Sequence, residues 1–239
     1  MKILALDSSG MVASVAVVQD GDLLAEYTVN YKKTHSQTLL PMLDAVAQMI
    51  QLRLDTVDAI AVASGPGSFT GLRIGSATAK GLGLALDKPL IAVPTTQALA
   101  YNLYGTCGVV CPIMDARREQ VYTGFYTFAD GRMQILQEQM AEDIHQVIDL
   151  LNGRGCPVTF CGDGVPVYRD VIQEEMRVPV YFAPPHVDRQ RAGAVAALAM
   201  EYLKEGRTQT AGEHKPEYLR VSQAERERQA RLAKEEGVS

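Results

Sequence analysis

The sequence predicts an α/β protein built from two βββαβαβα halves in tandem. Three observations carry this. Two short apolar runs each end in an aspartate: Ile3 to Leu6 before Asp7, and Val109 to Met114 before Asp115. Each is followed by β-like runs joined by a hairpin signal, Asp20-Gly21 and Asp130-Gly131. Each half then sets a glycine-framed turn between a strand and a helix, Gly65-Pro66-Gly67 and Gly162-Asp163-Gly164. No short stretch is copied; element order and the residue type at each corner repeat. Each half reads as a mixed sheet flanked by helices, and two such halves leave a cleft between them.

In the first half, Ile3–Leu6, Ala13–Val18 and Leu23–Val29 are the antiparallel strands. Thr34-x-x-Gln37 has capping-box form, and Leu39, Leu40, Leu43, Val46, Ala47 and Ile50 recur at helical spacing. Pro41 inside that pattern predicts a kink or a late helix start. His35 is either a hydrogen-bonding residue at the helix beginning or a ligand. Ala59–Ala63 is a buried strand, followed by a helix to Leu86 capped by Ser68 or Thr70. Pro89–Val93 is a strand, and Thr95–Tyr104 a helix capped by Thr95 or Thr96.

The second half repeats the order. Along Gln120–Phe128, Val121, Thr123, Phe125 and Thr127 share one face, and Tyr122, Gly124, Tyr126 and Phe128 the other. Met133–Gln139 is a strand, Glu142–Leu151 a helix stopped by Asn152-Gly153, and Pro157–Cys161 a strand. Val167–Met176 is a helix, Pro179–Phe182 a strand, and Arg191–Lys204 a helix closed by Gly206. Residues 1–104 and 105–221 form the two expected subdomains, with the option that the last helix packs back on the first half. Lys215 to Arg220 reads as an ordered closing segment. Residues 222–239, polar and rich in Arg, Lys and Glu, read as a solvated, partly frayed helical tail.

Two stretches could carry function. The Gly65–Gly67 turn with Ser68 and Thr70 opens a helix whose first N–H groups lack partners, so it can hold an anion or can be a plain strand-to-helix turn. In the helix that follows, Gly71, Gly75, Ala79 and Gly83 recur every four residues on one face. Glycine in a helix interior costs about 0.5–1 kcal/mol against alanine. The stripe therefore marks a close approach, either to this chain's own sheet or to a helix of another subunit. Asp7 and Asp115, at strand ends expected to face the cleft, either hold a Mg-nucleotide together or cap their own turns.

Composition narrows the function classes. The chain has 239 residues, 47% hydrophobic and 21% charged, with a net charge of −5. That balance argues against a free-standing nucleic-acid binder, though a share in a composite RNA site stays open. The densest basic pair in the body is Arg117-Arg118. Cys107, Cys111, Cys156 and Cys161 lack CxxC spacing and read as reduced thiols. No histidine lies four residues from another, so no metal or catalytic constellation is expected. No apolar run approaches the roughly 20 residues that span a bilayer, and an early acid argues against a signal peptide. A cytoplasmic protein is expected.

Five stretches occur here in the order seen in one bacterial family. They are Leu4-Ala5-Leu6-Asp7-Ser8-Ser9, His35 to Pro41, Gly65 to Gly75, Asp115-Ala116-Arg117-Arg118 with Val121-Tyr122, and Pro216-Glu217-Tyr218-Leu219-Arg220. Over nearly its whole length the chain resembles the TsaB (YeaZ) family of tRNA threonylcarbamoyladenosine (t6A) biosynthesis. The resemblance implies a duplicated RNase H-like fold of the actin/Hsp70/sugar-kinase (ASKHA) type. It also implies a non-catalytic partner of TsaD, whose HxxxH metal is absent here and which modifies adenosine 37 of tRNA. TsaE is the implied associated ATPase, and tRNA is reached only through the complex. No cofactor is implied for this chain alone; ATP or ADP with Mg belongs to a composite site with partners. The possible cleft residues are Asp7, Ser8, Ser9, Gly65, Gly67 and Asp115. The family's dimer contacts, with TsaD or with a second copy, involve the first two helices. Here that sets Leu39, Leu43, Val46, Gly71, Gly75, Ala79 and Gly83 at the expected interface, and a large residue at Gly75 is expected to block assembly without unfolding the chain. The rival reading is an independent ATP-dependent phosphotransferase or ATPase; a peptidase would need ligands not found here.

Overall fold

The computed structural model describes residues 1–32 and 34–220. The tail expected over 222–239 lies outside them. The first half contains β1 (Lys2–Asp7), β2 (Val12–Gln19), β3 (Asp22–Asn30), α1 (His35–Met49), β4 (Ala59–Gly65), α2 (Phe69–Leu86), β5 (Leu90–Pro94) and α3 (Thr95–Tyr101). The second contains β6 (Val109–Asp115), β7 (Gln120–Ala129), β8 (Arg132–Asp143), α4 (Ile144–Arg154), β9 (Val158–Cys161), α5 (Val165–Glu175), β10 (Val180–Phe182) and α6 (Ala192–Lys204). The sheets run β3-β2-β1-β4-β5 and β8-β7-β6-β9-β10, the same order twice. In each, the first three strands are antiparallel and the last two join in parallel. This is the duplicated RNase H-like arrangement of the ASKHA type.

Alternation along β1 explains the layering. Leu4 and Leu6 face α1 and α2 with Val15, Val17, Leu39, Leu43 and Val46. Ile3 and Ala5 face the other way, with Ala16, Ala59, Ala61 and Ala63, against Ala192, Val195, Ala196 and Ala199 of α6. Alanine on both sides lets α6 lie close to the sheet. The last helices thus cross over: α6 covers the first sheet, and α3 packs Leu99 and Ala100 against Val110 and Tyr126 of the second. Each buried Leu or Val contributes about 1.5–3 kcal/mol.

Both hairpins form at Asp-Gly, with Asp20 and Gly21 at φ +53° and +98°, and Asp130 and Gly131 at +52° and +71°. Several local expectations are corrected. No capping box forms: Thr34 Oγ1 accepts from no backbone N–H, and its hydroxyl donates instead to Gln37 Oε1 (3.1 Å). Helix α1 does not start late; it runs from His35 to Met49 with Pro41 inside it. Neither Thr95 nor Thr96 caps α3; Pro94 precedes it, and Thr96 Oγ1 is spent on Tyr126 Oη (2.7 Å) across the halves. That helix ends at Tyr101. Helix α4 begins later than expected because β8 stays paired with β7 through Asp143, whose carboxylate caps it by accepting from His145 N (2.9 Å). It ends beyond Asn152-Gly153, at Gly155 with φ +66°. Helix α5 begins at Val165, since Pro166 in the first turn forfeits no hydrogen bond.

Candidate functional site

The first-half corner is closed by its own backbone. Asp7 is fully buried at the end of β1. Its Oδ1 accepts from Ser9 N (2.9 Å) and Ser9 Oγ (2.7 Å), while Oδ2 is buried without a partner. Burial pushes the Asp7 carboxyl up to about 6, against the pull of the two Ser9 hydrogen bonds and of His35. Ser8 Oγ donates to the Gly71 carbonyl (2.9 Å), and Ser68 N donates to the Ser9 carbonyl (2.6 Å). Ser68 Oγ caps α2 by accepting from Gly71 N (3.3 Å).

The glycines are used inside this joint. A Cβ at Gly67 would overlap the Ser9 carbonyl oxygen, and one at Gly71 the Ser8 carbonyl oxygen. Gly65, at φ +125°, leaves room for the Glu217 carbonyl, and Glu217 N donates back to the Ser64 carbonyl (2.7 Å). The closing segment continues from there. Tyr218 stacks on Phe69 with 4.8 Å between centroids, and Arg220 Nη1 donates to the Ala116 carbonyl of the second half (2.7 Å). The segment expected to close the chain therefore bridges the two halves at the organising turn.

The second-half corner is open. The Asp115 side chain is 15% exposed. Its amide donates to Asp163 Oδ1 (3.1 Å), its Oδ1 accepts from Arg117 N (2.9 Å), and Oδ2 pairs with the Arg117 guanidinium at 3.2 Å. Burial holds the Asp163 carboxyl above its ordinary range; the Asp115 amide and Arg189 oppose this, and the Asp115 charge adds to it. Between the halves lies a cavity of about 420 Å³, lined by Ser9, Gly67, Ser68, Asp115, Arg117 and Asp163 among others. The expected pairing of Asp7 with Asp115 across this cleft is corrected. Only Asp115 faces it, because Asp7 sits beneath the Ser9 turn. The cleft offers two carboxylates to one guanidinium, and Ser68 N is already committed to Ser9. These residues do not fit a phosphate on their own. Among the described residues, no group of three or more His, Cys, Asp or Glu is placed to hold a metal ion.

The expected interface residues are corrected as well. Gly71, Gly75, Ala79 and Gly83 turn inward. A Cβ at Gly75 would stand 2.5 Å from Ser8 Oγ, and one at Gly83 3.0 Å from Leu90 Cδ2. Leu39, Leu43 and Val46 are buried in the same layer. The close approach is to the chain's own β1 and β5, so a large residue at Gly75 would damage the fold itself. Outward, α1 presents Leu40, Pro41 and Met49, the last 85% exposed. Helix α2 presents Ala77, Gly81 and Leu84, the last 73% exposed, with open space around Gly81. A second small pair at i, i+4 spacing on the opposite side of α2 was the available signal. It was overshadowed by the longer glycine stripe. His35 Nε2 is hydrogen-bonded with the Gly10 carbonyl (2.8 Å), tying α1 to the β1–β2 turn.

The likeness to known proteins covers this whole architecture. The family model described as TsaD: tRNA N6-adenosine threonylcarbamoyltransferase matches residues 22–228. The tRNA threonylcarbamoyladenosine biosynthesis protein TsaB of Bacillus subtilis (strain 168) is 31% identical over 227 residues, covering 94% of this chain and 96% of that one. TsaB of Escherichia coli (strain K12) is 30% identical over 226 residues, with 92% and 95% covered. YeaZ from Pseudomonas aeruginosa superposes with a TM-score of 0.75 at 29% identity, covering 91% of this chain and 99% of that one. Matched in sequence along nearly all its length, and in structure over 91% of it, the chain belongs to the TsaB (YeaZ) family of tRNA threonylcarbamoyladenosine biosynthesis proteins.

Proposed function

We propose that this chain is a non-catalytic scaffold subunit that docks on a TsaD-type threonylcarbamoyltransferase and supports t6A formation on tRNA. The observation that carries it is the outward side of α1 and α2. Helix α2 exposes Ala77, Gly81 and Leu84 along one stripe, and α1 exposes Leu40 and Met49. Such a surface admits a partner helix closely and gains dispersion at interior density. In this reading the same face pairs two copies when the transferase is absent, and TsaE joins the assembled pair. The sealed Asp7 corner and the two-carboxylate cleft favour a supporting role over phosphotransfer. A Mg-nucleotide of the complex draws its phosphate ligands mainly from the partners, and this chain needs no cofactor of its own.

The test uses G81L and L84R, both in open space. Each is expected to fold normally, to lose co-purification with TsaD by at least about tenfold, and to lower t6A formation in a reconstituted reaction. Undiminished co-purification of both variants would place the contact elsewhere. Steady Mg-ATP turnover by the lone chain would overturn the scaffold reading.

A further inference from the structure

We infer that the hairpin between β6 and β7 is an RNA-backbone contact, with Arg117 and Arg118 as its phosphate-binding side chains. Its loop holds three consecutive non-glycine residues in the left-handed region: Arg117 at φ +66°, Arg118 at +58° and Glu119 at +59°. The β2–β3 and β7–β8 hairpins meet the same need with Asp-Gly. Glycine or asparagine would relieve the backbone at all three positions. Arginine at two of them serves something other than folding. The Arg117 side chain is 86% exposed while its Nη1 pairs with Asp115 Oδ2 (3.2 Å), and among the described residues Arg118 makes no ion pair. Arg220 backs the same loop through the Ala116 carbonyl, so three guanidinium groups gather at one corner of an acidic chain.

The shape selects the ligand. Inside the cleft, Asp115 and Asp163 repel a small phosphate. Outside, the exposed loop carries the Arg118 guanidinium and the donors of Arg117 that Asp115 does not use, which suit the oxygens of a phosphodiester chain passing over it. Glu119 is the acid within the loop, and Asp115 and Asp143 stand at its base. Naming RNA as the polyanion rests on the t6A reading above; the basic tip itself does not.

The experiment measures binding of a labelled tRNA transcript to the full chain, alone and with TsaD, as a function of KCl concentration. R117G/R118G is expected to lower the magnitude of the log K versus log salt slope by about 2 and to weaken binding about tenfold or more at low salt. Its melting temperature is expected to rise, because the loop is relaxed. R118K is expected to keep most of the binding, which separates charge from backbone. An unchanged slope and affinity in R117G/R118G would overturn the inference, as would an R118K defect as large as that of R117G/R118G. Co-purification with TsaD is scored in parallel. Its failure with the wild-type chain would sink the scaffold reading while leaving the RNA result to stand or fall on its own.

Discussion

The two halves share one strand order and differ at one corner. At the end of β1, the glycine-rich turn comes down on Ser8 and Ser9 so tightly that side chains at Gly67 and Gly71 would overlap backbone oxygens. At the end of β6, the corresponding turn leaves Asp115 and Asp163 facing a cavity. That turn too is closed at its first glycine, where a Cβ at Gly162 would stand 2.2 Å from the Ile113 carbonyl oxygen, but at Gly164 the same oxygen lies 3.0 Å away. One topology thus supports a packed joint in the first half and a polar opening in the second. The difference shows that a glycine-rich strand-to-helix turn is no evidence of a ligand until its neighbours are known. The same glycines that could admit a phosphate admit a carbonyl.

Substitution at the joint should show the largest contrast. G71V is expected to destabilise the chain by about 4 kcal/mol or more, through overpacking against backbone that cannot yield. G164A should cost about 1 kcal/mol. Urea denaturation of both checks the pair, and equal losses would break the asymmetry.

The carboxylates come next. Asp7 has a folded pKa of about 6 against its ordinary 3.8. The folded state therefore takes up a proton before the unfolded state does. Stability is full below the unfolded value and falls as pH rises through about 4 to 6. The loss is about 3 kcal/mol for this fully buried group. D7N should remove most of that pH dependence and stabilise the chain at pH 7 by about 1–2 kcal/mol. Asp163 is shifted in the same direction by burial, so D163N should change the pH dependence with the same sign and by less. Denaturation curves at pH 4, 5, 6 and 7 decide, and a larger effect at Asp163 would reverse the comparison.

The smallest effects should be equal between halves. Gly21 and Gly131 both hold left-handed turns, and neither has close neighbours beyond one tyrosine hydroxyl 3.5 Å from a Cβ at Gly131. G21A and G131A should each cost about 1 kcal/mol, a backbone term alone. A clear inequality would mean that one hairpin carries load which the fold does not display.

Much of this was legible in the residues. Period-two and period-3.6 patterns gave every strand and α-helix in order, and Asp-Gly placed the β2–β3 and β7–β8 hairpins. Alternation along β7 correctly separated Val121 and Phe125 from Tyr126 and Phe128, which join different core layers. Helix ends were the weak point. The extent of β8 depends on pairing with β7, and the Thr96 hydroxyl is drawn away from capping by Tyr126.

What the sequence determined by itself is the local and periodic part: which segments are strands, where the chain must turn, that the order repeats, and which family it resembles. Those follow from side-chain pattern and from the conformational freedom of glycine. Only the tertiary structure decided which way each surface looks. A stripe of small residues on α2 states that something comes close but not what, and here it is the β1 turn of the same chain. Asp7 and Asp115 carry the same signal in sequence and meet opposite environments. Burial is set by elements far apart along the chain, and no local pattern records it.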